Sequence, residues 1–291
     1  MAQIREIKKR MTAVKTIQRI TKTMQMIATA KFTAAVGRAK ATRPYTDKVQ
    51  QLVGEVAAAA GDVENPLIDG PAEAVNRELM LVISSDRGLC GAYNGNVLRT
   101  GLLQLRELRS QGKEVDLETS GKKAVGFFRF QKLPISERHT IGDKPKYEDV
   151  NRVAERYIQE FVDGRYDRIS VVYMRFISNA RQVPEIMQLL PLKTPTADEP
   201  TEGAAVANYD FSPSSKQLLD DLLPMAVKTA LFQAFNDAVV SEQIMRMVAM
   251  KAATENAKEL GRNLRRDFNR ARQSQITTEL TEIIAGAAAL E

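Results

Sequence analysis

"MTAVKTIQRITKTMQMIATAKFTAAVGRAKATRPYT", residues 11–46, runs for thirty-six positions without an aspartate or a glutamate. It is also periodic. Ile4, Ile7, Met11 and Val14 step by three and four, and after a three-residue shift Ile17, Ile20, Met24 and Ile27 repeat the pattern. That spacing lines apolar side chains along one stripe of an α-helix and predicts a coiled-coil seam. No proline and one glycine, Gly37, occur before Pro44, which is the expected stop or kink. Forty-odd helical residues would span about 60 Å.

The charge on this stretch is local. The 291-residue chain carries a net +6, but residues 1–50 hold twelve Lys or Arg against Glu6 and Asp47, a local +10 that leaves −4 for the rest. A second basic patch, Arg262, Arg265, Arg266, Arg270 and Arg272 around Asp267, lies near the other end. There the apolar positions Ala253, Ala257, Leu260, Leu264, Phe268 and Ala271, then Leu280, Ile283, Ala287 and Leu290, again recur at threes and fours. No proline follows Pro224, itself read as a kink or a first-turn residue. A helix of about 65 residues is too long for the interior of one domain of this size, so it is expected to project. Its natural partner is the N-terminal helix, since both carry a seam and both are rich in alanine.

Between the helices the texture changes. "ELMLVISS" (78–85) and "RISVVYMRFIS" (168–178) read as strands and "VPEIMQLLPL" (183–192) as a candidate third, separated by helical patterns at 94–110 and 147–162. This order predicts an α/β domain with a mainly parallel sheet. The organisation expected is an N-terminal long helix over 1–58, a central α/β domain over 75–193, a linker over 194–211 and a C-terminal long helix over 212–291.

Several function classes drop out. No apolar run reaches the roughly 18–20 residues that span a bilayer, and the start lacks a signal peptide's apolar core. One cysteine, Cys90, makes no internal disulfide, and a single histidine, His139, read as a surface residue, argues against zinc. "VISSDRGLCGAYNGNV" has the order strand, Gly-rich loop, helix, which can hold phosphate. Its Gly88, Gly91 and Gly95 nevertheless match neither G-x-G-x-x-G nor the P-loop. The plainer reading is a tight strand-to-helix turn with Asp86 or Asn94 as a cap, and Cys90 as a packed thiol without a nearby base. No catalytic constellation, metal site or cofactor site is expected. The methionines of the long helices suit either core gap-filling or a surface that meets several shapes.

The segments "QRITKTMQMIATAKF", "RPY", "SEQIMRMVAMKAATENA" and "NRARQSQITTELTEIIAGAAAL" strongly resemble the gamma subunit family of F-type ATP synthases. The family's C-terminal signature is met at Ile276, Thr277, Glu279, Glu282, Gly286, Ala287 and Ala289, and "SDRGLCGAYN" looks like its central-domain loop. The resemblance covers the whole chain and implies a fold of α/β class with long helices. An antiparallel coiled coil of the N- and C-terminal helices would join a central Rossmann-like α/β domain.

The function implied is that of the central-stalk rotor of a proton-translocating ATP synthase, non-catalytic itself. It would couple proton flow through the membrane ring to conformational change in the beta subunits. The implied partners are the alpha and beta subunits, the epsilon subunit and the membrane c-ring, with no nucleic acid. The expected place is peripheral, on the cytoplasmic face of a bacterial inner membrane, because no transit peptide is apparent. Lys22, Met24 and Met26, with Arg246 on the opposing helix, are the positions implied to meet an acidic loop of beta. Arg272, Gln273, Thr277 and Glu279 are implied to contact beta higher up. The regulatory insertion and cysteine pair of the chloroplast branch are absent. The competing reading is a basic coiled coil that binds nucleic acid or acts as a scaffold. It fits the charge but not the aromatic content, since Phe32 and Tyr45 are the only aromatic residues in 1–50.

Overall fold

The computed structural model describes residues 2–60, 65–71, 74–192 and 215–288; the expected linker at 194–211 and Leu290 lie outside them. A helix α1 (Ala2–Ala60) opens the chain and a 74-residue helix α6 (Ser215–Ala288) closes its described part. Between them come α2 (Pro66–Asp69), β1 (Arg77–Ile83), α3 (Tyr93–Ser110), β2 (Glu114–Ser120), α4 (Lys122–Phe130), β3 (Glu137–His139), α5 (Tyr147–Val162), β4 (Arg168–Phe176) and β5 (Gln182–Leu190). The chain divides into two compact units: residues 1–30 with 246–291, and residues 31–245. Both long helices contribute to both.

In the larger unit the five strands lie in the order β3-β2-β1-β4-β5, parallel except for β5, which returns antiparallel to β4. Helical crossovers between the parallel strands put α3 and α4 on one face, as a parallel sheet requires. Met80, Val82, Leu117, Val172 and Met174 pack there against Tyr93, Val97, Leu105 and Phe128. Leu79, Leu81, Ile83, Ile169 and Val171 face the other way, onto α5 and the portions of the long helices in this unit, including Val49, Val53, Leu223 and Leu231. The alternation along each strand thus feeds two cores, and the strand runs look continuously apolar because both faces are covered. The fold is the α/β class with long helices that was expected.

Pro44 does not stop α1. It removes one rung of the helical ladder, but Thr46, Val49, Val53 and Val56 beyond it are buried under the domain and hold the helix to Ala60. Pro224 is likewise interior to α6, more than two turns from its start. Along this unit the two helices run antiparallel: Ala35 and Ala39 meet Val239 and Val240, Thr42 Oγ1 donates to Gln233 Oε1 at 3.2 Å, and Tyr45 reaches Met225.

Candidate partner-binding surface

The smaller unit is a pair of helices with one seam. On α1 the sheltered positions are Ile4, Ile7, Met11, Val14, Gln18, Thr21, Gln25 and Ala28, and on α6 they include Met250, Thr254, Ala257, Gly261, Leu264, Phe268, Ala271 and Gln275. Thr254 Oγ1 donates to Thr21 Oγ1 at 2.9 Å. Val14 lies 3.8 Å from the place a Cβ would take on Gly261, and Ile4 and Ile7 share a groove with Leu264, Ala271 and Gln275. Rising numbers on α1 meet falling numbers on α6, so the pair is antiparallel.

This seam corrects the second stripe read from the sequence. Met24 is half-buried at the seam's edge, but Ile17, Ile20 and Ile27 are 50%, 51% and 53% exposed. The three-four step continues from Val14 through Gln18 and Thr21 without a shift, and a residue one position off lies about 100° round the helix. A threonine pair and alanine therefore sit inside while isoleucine points out. The same holds on α6, where Gly261 occupies the seam and Leu260 is 50% exposed.

The positions expected to meet partners fall into two groups. Lys22 is exposed, its ammonium 3.5 Å from Gln25 Oε1; Met26 is 63% exposed; Arg246 is half-buried. Continuing the register past Thr21 and Thr254 sets Arg246 within about two turns of the level of Met24. Arg272, Gln273, Thr277 and Glu279 are all exposed, roughly 30 to 40 Å further along α6 from the level of Lys22. Glu279 accepts from Gln275 Nε2 at 2.7 Å and Thr277 Oγ1 donates to the Gln273 carbonyl, so these side chains are held along their own helix. Beyond Gln275 every described residue of α6 is exposed, including Ile276, Leu280, Ile283 and Ile284, because the register has run past the start of α1. Ile17, Ile20, Ile27 and this final stretch are the surface that the periodicity did not single out. An unbroken heptad count from Ile4 would have found the first three.

The loop after β1 spends its polar groups on itself. Asn94 Oδ1 accepts from the Ser85 amide at 3.1 Å, and Asn94 Nδ2 donates to Ser85 Oγ at 2.8 Å and to Cys90 Sγ at 3.1 Å. Asn94 is therefore no cap. Asp86 is one, but for α4: its Oδ1 accepts from the Lys122 amide at 3.0 Å. Cys90 is buried.

His139 is not a surface residue. Its side chain is 6% exposed, and Nε2 lies 2.7 Å from Glu118 Oε2. Arg156 donates to both oxygens of Glu118 at 2.9 and 2.7 Å, and Tyr157 donates to it at 2.7 Å. Burial raises the Glu118 pKa, but the bonds from His139, Arg156 and Tyr157 outweigh it and bring the carboxyl down to about 2. Glu118, Glu137 and His139 place three possible ligand atoms within 4.8 Å of one another. Arg156 also bridges to Glu137 at 3.0 Å, so a guanidinium already supplies the positive charge that a metal ion would bring. The cluster ties the three-residue strand β3 to β2 and α5.

The ATP synthase family profile matches residues 3–290. A gamma chain of ATP synthase from Rhodopirellula baltica is 41% identical over the full length of both chains. The chain belongs to the ATP synthase gamma chain family. Relatives of the same description from Leptospira biflexa and Chloroflexus aurantiacus are 37% and 38% identical, covering all of this chain and 100% and 99% of their own. In solved structures the fold recurs in the mitochondrial ATP synthase of Euglena gracilis. One match, to its rotor, has a TM-score of 0.64 over 94% of this chain and 99% of that one. Another, from the OSCP/F1/c-ring assembly, has 0.67 over 99% and 95%, both at 20% identity. Membership of this family gives no support to the nucleic-acid-binding alternative.

Proposed function

We propose that the chain is the central-stalk rotor of a proton-translocating ATP synthase, with no catalytic site of its own. The observation that carries this reading is the inverted packing of the helix pair. Small and polar side chains, Gln18, Thr21, Ala28, Thr254, Ala257 and Gly261, take a share of its seam beside Val14 and Leu264, while Ile17, Ile20, Met26 and Ile27 on α1 and Ile276, Leu280, Ile283 and Ile284 on α6 face outward. A large apolar surface left outside is a surface built to be covered, and a helix pair that bears one is suited to a sleeve of other subunits.

The chemistry of coupling follows from that surface. One asymmetric helix pair stands against three equivalent beta subunits, and its changing face biases each between open and closed states. In the family, beta subunits present an acidic loop to this shaft. Exposed cations such as Lys15, Arg19 and Lys22, on one stripe of α1, attract that loop, and the absence of an intervening carboxylate avoids repulsion as the other faces pass it. Threonine, alanine and methionine offer contacts that do not lock at one position. Lys22, Met24, Met26 and Arg246 form the lower contact and Arg272, Gln273, Thr277 and Glu279 the upper one. The α/β domain takes the epsilon subunit and the c-ring. No helix among the described residues is long and apolar enough to cross a membrane; on the rotor reading the chain is peripheral, held by its partners at the cytoplasmic face of a bacterial inner membrane.

The test is reconstitution. Purified alpha and beta subunits mixed with this chain should assemble and hydrolyse ATP, whereas the chain alone should neither hydrolyse ATP nor bind it at micromolar concentration. Turnover by the isolated chain, or failure to assemble, refutes the reading.

A further inference from the structure

Residues 234–244 of α6 are buried on every side, wedged between α1 and the sheet. A helix buried all round is normally apolar all round. This one carries Asn236, Asp237, Ser241, Glu242 and Gln243, each no more than 9% exposed. Burying such groups is unfavourable unless they are hydrogen-bonded, so the bonds they make point to what the segment does.

Two of these residues grip the same strand end. Ser241 Oγ donates to the Met174 carbonyl at 3.1 Å, and one turn earlier the Asp237 carboxylate lies within electrostatic reach of the Phe176 amide. Asp237 is in turn held by Gln233 Nε2 at 2.8 Å, and Gln233 Oε1 accepts from Thr42 Oγ1 on α1 at 3.2 Å. Arg43 on α1 and Arg175 on β4 act electrostatically on the carboxylate. A part-buried set of directional contacts therefore runs from α1 through α6 to the last residues of β4.

We propose that Asp237 and Ser241 lock α6 against turning and sliding on the end of β4, and so act as positioning residues for the passage of torque between the α/β domain and the long helices. The inference rests on the rotor reading given above. Its physical basis is the difference between two kinds of contact. Apolar packing is non-directional, so a helix seated only by it resists rotation weakly over small angles. A hydrogen bond weakens steeply once its geometry is lost. Side-chain tips lie roughly 5 Å from a helix axis, so a twist of about 20° displaces them by nearly 2 Å, enough to break both contacts. The lock is placed at the end of β4, the strand beside β1 at the centre of the sheet.

The experiment uses the complete ATP synthase in sealed vesicles, assembled with wild-type chain, Asp237→Leu, Ser241→Ala, the double variant or Asp237→Asn. ATP hydrolysis and proton uptake are recorded together as the gradient builds. With the lock removed, protons moved per ATP should match wild type at negligible gradient and fall at least twofold as the gradient opposes rotation. Asp237→Asn, which keeps the size and one accepting oxygen, should recover most of the loss. A merely structural role would lower assembly and turnover without this dependence on load. Equal pumping per ATP by the double variant and wild type at high gradient overturns the lock, as does a loss independent of gradient or unrelieved in Asp237→Asn. If the wild-type chain itself supports hydrolysis but no pumping, the rotor reading is what has failed.

Discussion

Replacing Ile17, Ile20 and Ile27 together by serine separates the two faces of α1. All three are about half exposed, and isoleucine and serine have similar helix propensities. The covered half of each side chain is worth at most about 1 kcal/mol, so melting of the isolated chain should fall by several degrees. Full burial of an isoleucine is worth about 2 kcal/mol, and roughly half of that is still unrealised at each site, or about 3 kcal/mol for the three. If the stripe is covered by alpha and beta subunits, affinity for the alpha–beta assembly should fall about a hundredfold. Val14→Ser is the control, because Val14 is 9% exposed in the seam and its loss should lower the melting temperature outright. Labelled chain titrated into purified alpha–beta assembly gives the affinity, and circular dichroism gives the melting. Unchanged affinity for the triple variant would show that the stripe is not the contact. A melting loss per residue as large as that of Val14→Ser would show that the faces have been exchanged.

Paired cysteines in place of Thr21 and Thr254, whose hydroxyls are 2.9 Å apart, should crosslink within one chain on oxidation; a crosslink of residue 21 to positions near 275 instead would refute the register. Met24→Lys adds a cation beside Lys22 at the proposed lower contact, and in the assembled enzyme should reduce proton pumping per ATP more than hydrolysis; full pumping efficiency would place this position away from beta. Glu118 has its carboxyl pKa lowered from the usual value of 4.5 to about 2 in the folded chain. Its contribution is therefore present above about pH 4.5 and lost as pH falls towards 2, on the order of 3 kcal/mol. Denaturant titrations between pH 6 and about pH 3 should show about 2 kcal/mol of this loss for wild type and a much smaller one for Glu118→Gln. Gly121 has φ of +95° and an added Cβ would fall 2.2 Å from the Ser84 carbonyl oxygen. Gly121→Ala should therefore cost about 3 kcal/mol or more, and wild-type denaturation of that variant would contradict the close approach of the two strand ends.

The long helices were legible because a three-four step survives over many turns with few breakers, and β1, β4 and β5 because their apolar runs have strand length. What stayed hidden was carried by polar residues that the fold buries. β2 reads as "EVDLETS", yet Glu118 within it is 2% exposed. Its charge is answered by His139, Arg156 and Tyr157 from two later elements, a pairing that no local pattern announces. β3 has three residues and exists largely through the same cluster, which also explains why His139 looked like a surface residue. On the shaft, the exchange of Ile17 and Ile20 for Gln18 and Thr21 was obscured by the expectation that the most apolar stripe faces inward. In a helix pair whose outer face is meant for other subunits, that expectation fails where function lies.

The most direct measurement is rotation itself. A bead attached through Phe130→Cys, a position 84% exposed on the α/β domain, is followed after ATP is added to surface-held alpha–beta assemblies containing this chain. A rotor gives stepwise turning in one direction, with three dwells per turn. A bead that stays still in assemblies hydrolysing ATP at their full rate would contradict the central claim.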